Sequence, residues 1–216
     1  MAKRKTDGDD GKDSGWRGSR EVWLDAAQEA IINSGLEAVK IQPLAARLNL
    51  SRTSFYWFFK DRAALLDALL DRWDAQNTGS LVSAAEAYAE TVTEAVLNVT
   101  AIFLDAGQFA SKFDLAVRGW AHQSDAVAAR VNTADTARLE AIRAIFDRFG
   151  YDPSEADVRA RTVYLVQIGY ISMQVDEPTS VRLTRIPAYI KTFTGWLPSE
   201  SEMRRFQAQL EVRSDA

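Results

Sequence analysis

The chain has 216 residues, of which 47% are hydrophobic and 26% charged, globular proportions that exclude wholesale disorder, collagen-like repeats and a disulfide scaffold. Its lack of cysteine rules out disulfides, thiolate zinc sites and a cysteine nucleophile and fits a reducing compartment. The length allows one large domain or a small one joined to a larger, and 26 basic against 30 acidic residues, a net charge of −4, speaks on its face against nucleic acid.

Residues 1–18 mix both charge signs with glycine and hold no apolar stretch, so they read as a disordered arm rather than a signal peptide or membrane anchor. Basic arms touch phosphates, but Lys3, Arg4 and Lys5 are followed by Asp7, Asp9, Asp10 and Asp13, the pattern of a solvated tail. The longest uncharged stretch, 162–175, has 14 residues, short of the roughly 18–20 that cross a bilayer as a helix. A soluble cytoplasmic protein is expected.

From Ser19 on the apolar spacing is helical almost everywhere and no strand is convincing, so the fold is predicted to be all-α. A first helix is expected over 19–34, with Trp23, Ala26, Ala27, Ala30 and Ile31 on one face and Gly35 as its stop. A second follows over 42–48, with Pro43 in its first turn, and a third over 52–58. The fourth starts at Asp61, carries Leu65, Leu66, Leu69, Leu70 and Trp73, and is read as ending in the polar turn 77–80, taken as the domain boundary. Domains of 19–76 and 77–216 follow.

In the second domain Leu81, Ala85, Tyr88, Val92, Val96, Val99 and Phe103 predict one long helix, Phe109, Phe113, Val117 and Trp120 a shorter one, and Leu139, Ile142, Phe146 and Phe149 a third. Asp152, Pro153 and Glu155 make a strong helix start. The segment that follows, TVYLVQIGYISM, is apolar nearly all round and must be covered on both sides, by its own core and by a second copy of the chain. A helix over 181–196 comes next, and Ser199 with Glu202 forms a capping box for the last.

The sequence is most specific at LAARLNLSRTSFYWFFKDRAALLDALL. A helix-turn-helix needs a small residue where its helices cross and a residue that tolerates the left-handed region at its corner; Ala45 and Asn49 meet those needs. The third helix is expected to present Arg52, Thr53, Ser54, Tyr56 and Trp57 outward while Phe55, Phe58 and Phe59 turn inward. Arginine forks onto guanine and hydroxyls reach bases or phosphate, so such a face suits a major groove. Charge supports this: Lys40, Arg47, Arg52, Lys60 and Arg62 against Asp61 give +4 between residues 40 and 62, and phosphate binding depends on the local field. Residues 1–75 hold 12 basic and 12 acidic side chains, so the acidity belongs to the second part.

With WLDAAQEAIINSGLEAV, LAARLNLS and FYWFFKDRAALLDALL in place, residues 19–75 resemble the DNA-binding domain of the TetR family of bacterial transcriptional regulators. The resemblance implies that Arg52, Thr53, Ser54, Tyr56 and Trp57 face the groove, that Gln42 makes a contact from the second helix and that Arg62 meets a phosphate, with Lys60 on the basic flank. Phe58 stands where the family usually has histidine, and Lys40 with Ile41 replaces the usual threonine cap. The family's second part is a helical ligand-binding and dimerisation domain, which implies a homodimer, double-stranded operator DNA and an unidentified small-molecule effector as partners. Phe113, Arg118, Trp120 and His122, and Tyr164, Gln167, Tyr170 and Met173, are the candidates to line its cavity, although aromatic residues at helical spacing are more often core.

One histidine, no cysteine and no G-x-S-x-G, G-x-G-x-x-G or P-loop leave no catalytic constellation in view, and neither cofactor nor metal is expected. The alternative to a ligand-responsive repressor on a palindromic operator is an all-α structural or enzyme-like dimer whose helix-turn-helix does not read DNA.

Overall fold

Residues 18–214 are described in the computed structural model, and every regular element among them is helical; the expected arm with Lys3, Arg4 and Lys5 lies outside them, Gly18 excepted. Helix α1 (Arg20–Ser34) starts where the Ser19 hydroxyl accepts the Val22 N–H at 3.3 Å and ends at Gly35, whose φ of 78° is the left-handed turn a glycine adopts without strain. It buries Trp23, Leu24, Ala26, Ala27, Ala30 and Ile31 against α2 (Ile41–Arg47), α3 (Arg52–Phe55) and α4 (Arg62–Trp73). The third helix is a single turn, shorter than expected. Beyond Phe55 the chain tightens into bonds from Trp57 N–H to Ser54 O and from Phe58 N–H to Phe55 O, which carries Phe59 into the core.

The polar stretch 77–80 does not end the fourth helix. A π-helical segment, Asp74–Thr78, leads from α4 straight into α5 (Gly79–Glu86), with the Gly79 N–H reaching back five residues to the Asp74 carbonyl. Asn77, polar and read as a stop, is fully buried. Its side-chain oxygen accepts the Ala110 N–H at 2.9 Å, a partner 33 residues away that no local propensity foresees.

The long helix expected across residues 81–103 breaks at 87–91, and α6 (Val92–Ile102) begins at Thr91, whose Oγ1 accepts the Glu94 N–H at 3.1 Å while Glu94 reaches back to accept the Glu90 N–H at 2.9 Å. Then come α7 (Ser111–Ala121) and α8 (Asp125–Arg148), which starts well before its expected apolar run because Ser124 caps it. Next are α9 (Pro153–Ser172), with Asp152 capping and Pro153 in the first turn as expected, α10 (Thr179–Thr194) and α11 (Glu200–Ser214). The Ser199–Glu202 capping box forms. None of the helices described is long and apolar enough to cross a membrane.

The buried apolar residues form two clusters. One combines α1–α4 with Phe113, Val117 and Trp120 of α7 and Val127, Val131 and Ala134 of α8. The other fills the space between α5, α6, the later part of α8, α9 and α10. Helix α7 is therefore shared: Phe113, Val117 and Trp120, with Ala116 and Ala121, complete the core of the first four helices, while Leu115 packs on the second cluster. On α9, Val163, Tyr164, Gln167 and Ile171 are buried, and Val158 and Leu165 are exposed on the opposite side.

Candidate nucleic-acid interface and effector cleft

The corner between α2 and α3 is built as its residue types require. Ala45 is buried, its carbonyl accepts the Leu50 N–H at 2.9 Å, and Asn49 takes a φ of 52°. Ser51 caps α3 by accepting the Ser54 N–H at 3.2 Å. Behind α3, Phe55 is fully buried, edge-on to Trp23 with ring centroids 5.3 Å apart and stacked on Phe59 at 5.4 Å, so aromatic packing fixes the one-turn helix from within.

Four expected groove residues are then exposed together: Arg52 and Thr53, with Tyr56 at 51% and Trp57 at 65% of their surface in solvent. Gln42, in the first turn of α2, and Lys60 are exposed as well. Two candidates are placed otherwise. Ser54 is buried, and its hydroxyl donates to the Ser51 carbonyl at 2.7 Å: α3 ends after one turn, and its inner side carries Ser54 beside Phe55. Arg62 is half-buried, and its guanidinium donates to the Val39 and Leu36 carbonyls, at 2.5 and 3.0 Å, tying α4 to the α1–α2 connection rather than reaching outward.

The basic field is also thinner than the local count. Arg47 pairs with Glu29 of α1, and Lys40 pairs with Glu37 at 3.6 Å; both glutamates lie outside the 40–62 window, so folding brings two carboxylates against its +4 and leaves +2. Lys40 also caps α2 without a side-chain hydrogen bond, the consequence of lysine in place of a threonine. Phe58 is half-buried against the core of the first four helices.

A buried ionic cluster joins this region to the body. Asp114 on α7, fully buried, accepts from Trp73 Nε1 at 2.8 Å, Asn77 Nδ2 at 3.3 Å, Arg138 Nη1 at 3.1 Å and Arg118 Nε at 2.7 Å. Arg118 forks onto Asp135 at 2.9 and 2.6 Å, and Arg138 Nε donates to Thr78 Oγ1 at 3.0 Å. The Tyr164 hydroxyl donates to Asp135 at 2.6 Å and accepts from Arg118 and Arg138. The Arg138 guanidinium lies 4.9 Å from the Trp73 ring centroid. Two arginines and two aspartates make the cluster neutral. Burial alone would raise the Asp114 carboxyl, but the Arg138 and Arg118 charges beside it outweigh burial and hold it below the usual carboxylate value. Burial pushes the Tyr164 hydroxyl up, so it stays a donor at neutral pH.

The eight candidate effector residues are scattered by the fold. Only Gln167 and Tyr170 line the cleft of about 420 Å³ between the end of α6, the first turn of α7, the end of α9 and Arg182 of α10, and a groove of about 520 Å³ beside it is bordered by Arg118 and His122. Phe113 and Trp120 complete the core of the first four helices, and Arg118 and Tyr164 are bound in the ionic cluster. His122 is exposed at the end of α7, bordering a second groove with Arg118, and Met173 is 78% exposed. The cleft is instead completed by Phe103, Ser111, Lys112, Leu115, Asp176 and Arg182 among others. Apolar spacing could have pointed to Phe103 and Leu115, but nothing local marks Lys112 or Arg182, which come together only through packing.

Residues 24–69 match the family model of bacterial regulatory proteins, tetR family. Over 51 residues the chain is 38% identical to the tetracycline repressor protein class D of Escherichia coli and, equally, to the class H protein of Photobacterium damsela subsp. piscicida. The match covers 24% of this chain and 23% of each of theirs, so the chain spans under a quarter of the length of the curated relatives it matches. Among solved structures, Mycobacterium smegmatis AmtR superposes with a TM-score of 0.60 at 18% identity, covering 92% of this chain and 96% of its own. Salmonella enterica GusR does so with 0.60 at 14%, covering 89% and 95%. At these identities the likeness is one of fold, and it runs through the helical body as well as the N-terminal helices.

Proposed function

From an N-terminal domain that is that of the tetR family of bacterial regulatory proteins, we infer that the chain is a ligand-responsive transcriptional repressor that binds a palindromic operator as a homodimer. The carrying observation is the exposed set Arg52, Thr53, Tyr56 and Trp57 on a one-turn helix and the turn that follows it, braced by buried Phe55 and Phe59. Two large aromatic rings left in water beside an arginine and a hydroxyl suit base edges and thymine methyl groups. Gln42 and Lys60 flank them as further contacts.

Residues 19–76 act as the reading head and 77–216 as the body that pairs two heads. Pairing is supported by α9, where Val158, Leu165 and then Met173 recur at spacings of seven and eight residues, so they share one exposed apolar side. Two such stripes packed together would set both recognition helices in successive major grooves, about 34–36 Å apart. An effector in the α6–α7–α9–α10 cleft would act through α7, which carries Ser111, Lys112 and Leu115 on the cleft and Asp114 on Trp73 and Asn77. The ligand shifts the equilibrium only by its differential affinity for the two arrangements.

Fluorescence anisotropy with duplexes from the DNA upstream of the coding gene, titrated with salt, tests the reading. One site is expected to bind at least about 10³-fold more tightly than random DNA at physiological salt, with two protomers per site by sedimentation. Equal affinity for all sequences at every salt concentration would overturn it.

A further inference from the structure

We propose that the cleft takes a small organic monocarboxylic acid, its carboxylate on the first turn of α7 and its apolar body on Phe103, Leu115 and Ile171. The inference names the ligand class and rests on the ligand-responsive reading above. Four observations converge. Helix α7 opens at the cleft with Ser111 and Lys112 on its lining, and the residue before it, Ala110, offers no side-chain cap. The Ser111 N–H is taken by the Phe109 carbonyl at 2.9 Å, and the Lys112 and Phe113 N–H groups, without an acceptor among the described residues, stand at the positive end of the helix dipole. Lys112 and Arg182 stand on the same cleft, and neither is in an ion pair among the described residues; the Arg182 guanidinium is held 4.6 Å from the Tyr170 ring centroid. Gln167, only 7% exposed, lines the cleft with no hydrogen-bond partner among the described residues, and its amide atoms open onto the cleft, where they can pair with a ligand.

The charge is that of a monoanion. Asp176 lies on the same cleft without an ion-pair partner among the described residues, so its charge offsets one of the two cations, and neighbouring Glu177 is taken by Arg185 at 2.5 Å. A dianion such as a phosphate monoester would meet that carboxylate with too little positive charge to balance it. At about 420 Å³ the space lies toward the small end of ligand sites, roughly 300–1,000 Å³, which suits one acid group on a modest apolar body.

The test is calorimetric titration of the full chain with straight-chain and phenyl-substituted monocarboxylates of six to twelve carbons, each beside its primary amide, its amine and the dicarboxylate of equal length. At least one monocarboxylate should bind about tenfold more tightly than its three analogues. Lys112→Gln and Arg182→Gln should each weaken it about tenfold while the ligand-free melting temperature holds, and Gln167→Leu should weaken it without abolishing the preference for the acid. Tighter binding of an amine, amide or dicarboxylate, unchanged affinity in both cation variants, or no binding by any monocarboxylate would overturn the proposal. Release of operator DNA by a neutral compound or an amine would overturn the acid class and leave ligand response standing. Acids that bind at Lys112 and Arg182 without affecting any DNA complex would keep the site and overturn the repressor.

Discussion

On α3 and the turn after it, Arg52, Thr53, Tyr56 and Trp57 stand in solvent over a packed aromatic base, whereas at the meeting of α4, α7, α8 and α9 the carboxylate of Asp114 and the guanidinium of Arg138 are wholly enclosed and face each other. Both regions are rich in arginine and aromatic rings, and their composition alone would not separate them. What differs is where the polar atoms are satisfied. The exposed face leaves the Arg52 and Thr53 side chains to water and to whatever docks there, so these residues can change with little cost to folding. The enclosed cluster pairs its charges internally, with only Arg138 Nη2 of its side-chain atoms left buried without a hydrogen-bond partner, so removing one member strands another in a medium that solvates it poorly.

Four measurements would break or sharpen that contrast. Asp114→Ala leaves the buried Arg138 charge only the more distant Asp135 carboxylate, 3.8 Å away, and is expected to cost ~3–5 kcal/mol in urea denaturation; a loss no larger than that of a surface substitution would remove the distinction. Arg62→Ala gives up two charge-assisted bonds to the Val39 and Leu36 carbonyls and should cost about 1.5–3 kcal/mol of stability, with the salt dependence of DNA binding unaltered. A drop of about one in the salt slope would return Arg62 to the phosphate-contacting set. Arg52→Ala should do the opposite, keeping the melting temperature while losing about 1–3 kcal/mol of operator affinity and relaxing base preference.

The smallest effect is in acid. The Asp114 carboxyl is held below its ordinary value of 3.8, so it binds protons less readily folded than unfolded. Its stabilisation is complete above about pH 4 and is lost as pH falls through the lower folded value. Stability measured from pH 7 down to pH 2 should therefore fall less steeply at its acid end in Asp114→Asn than in the parent chain. Parallel curves would deny the carboxylate its ionised role.

The N-terminal helix-turn-helix was legible because its determinants are local. Ala45 at the crossing, Asn49 at the corner, and Asp61 as a cap act within a few residues of themselves, and the structure keeps them in those roles. The junction was not, because Asn77 and Thr78 look like a stop until Ala110, Asp114 and Arg138 arrive from 33 to 60 residues away. Ser54 was turned outward on the premise of a full helix over 52–58. The local charge omitted Glu29 and Glu37, which folding supplies. At the cleft only Gln167 and Tyr170 were foreseen, since helical spacing ranks apolar faces but cannot say which of them closes into core, as Phe113 and Trp120 do.

The π-helical stretch Asp74–Thr78 sets an azimuth. At about 100° per residue an ordinary α-helix would place Thr78 some 140° round from Trp73; the wider turn closes that angle and lets Trp73, Asn77 and Thr78 all reach one ionic cluster. Everything N-terminal to the stretch is mounted on that phase, the α2–α3 corner included. Shortening the segment by one residue would swing the first four helices by roughly 100° about the shared axis, so the length of this single wide turn fixes which way the exposed face of Arg52, Thr53, Tyr56 and Trp57 points.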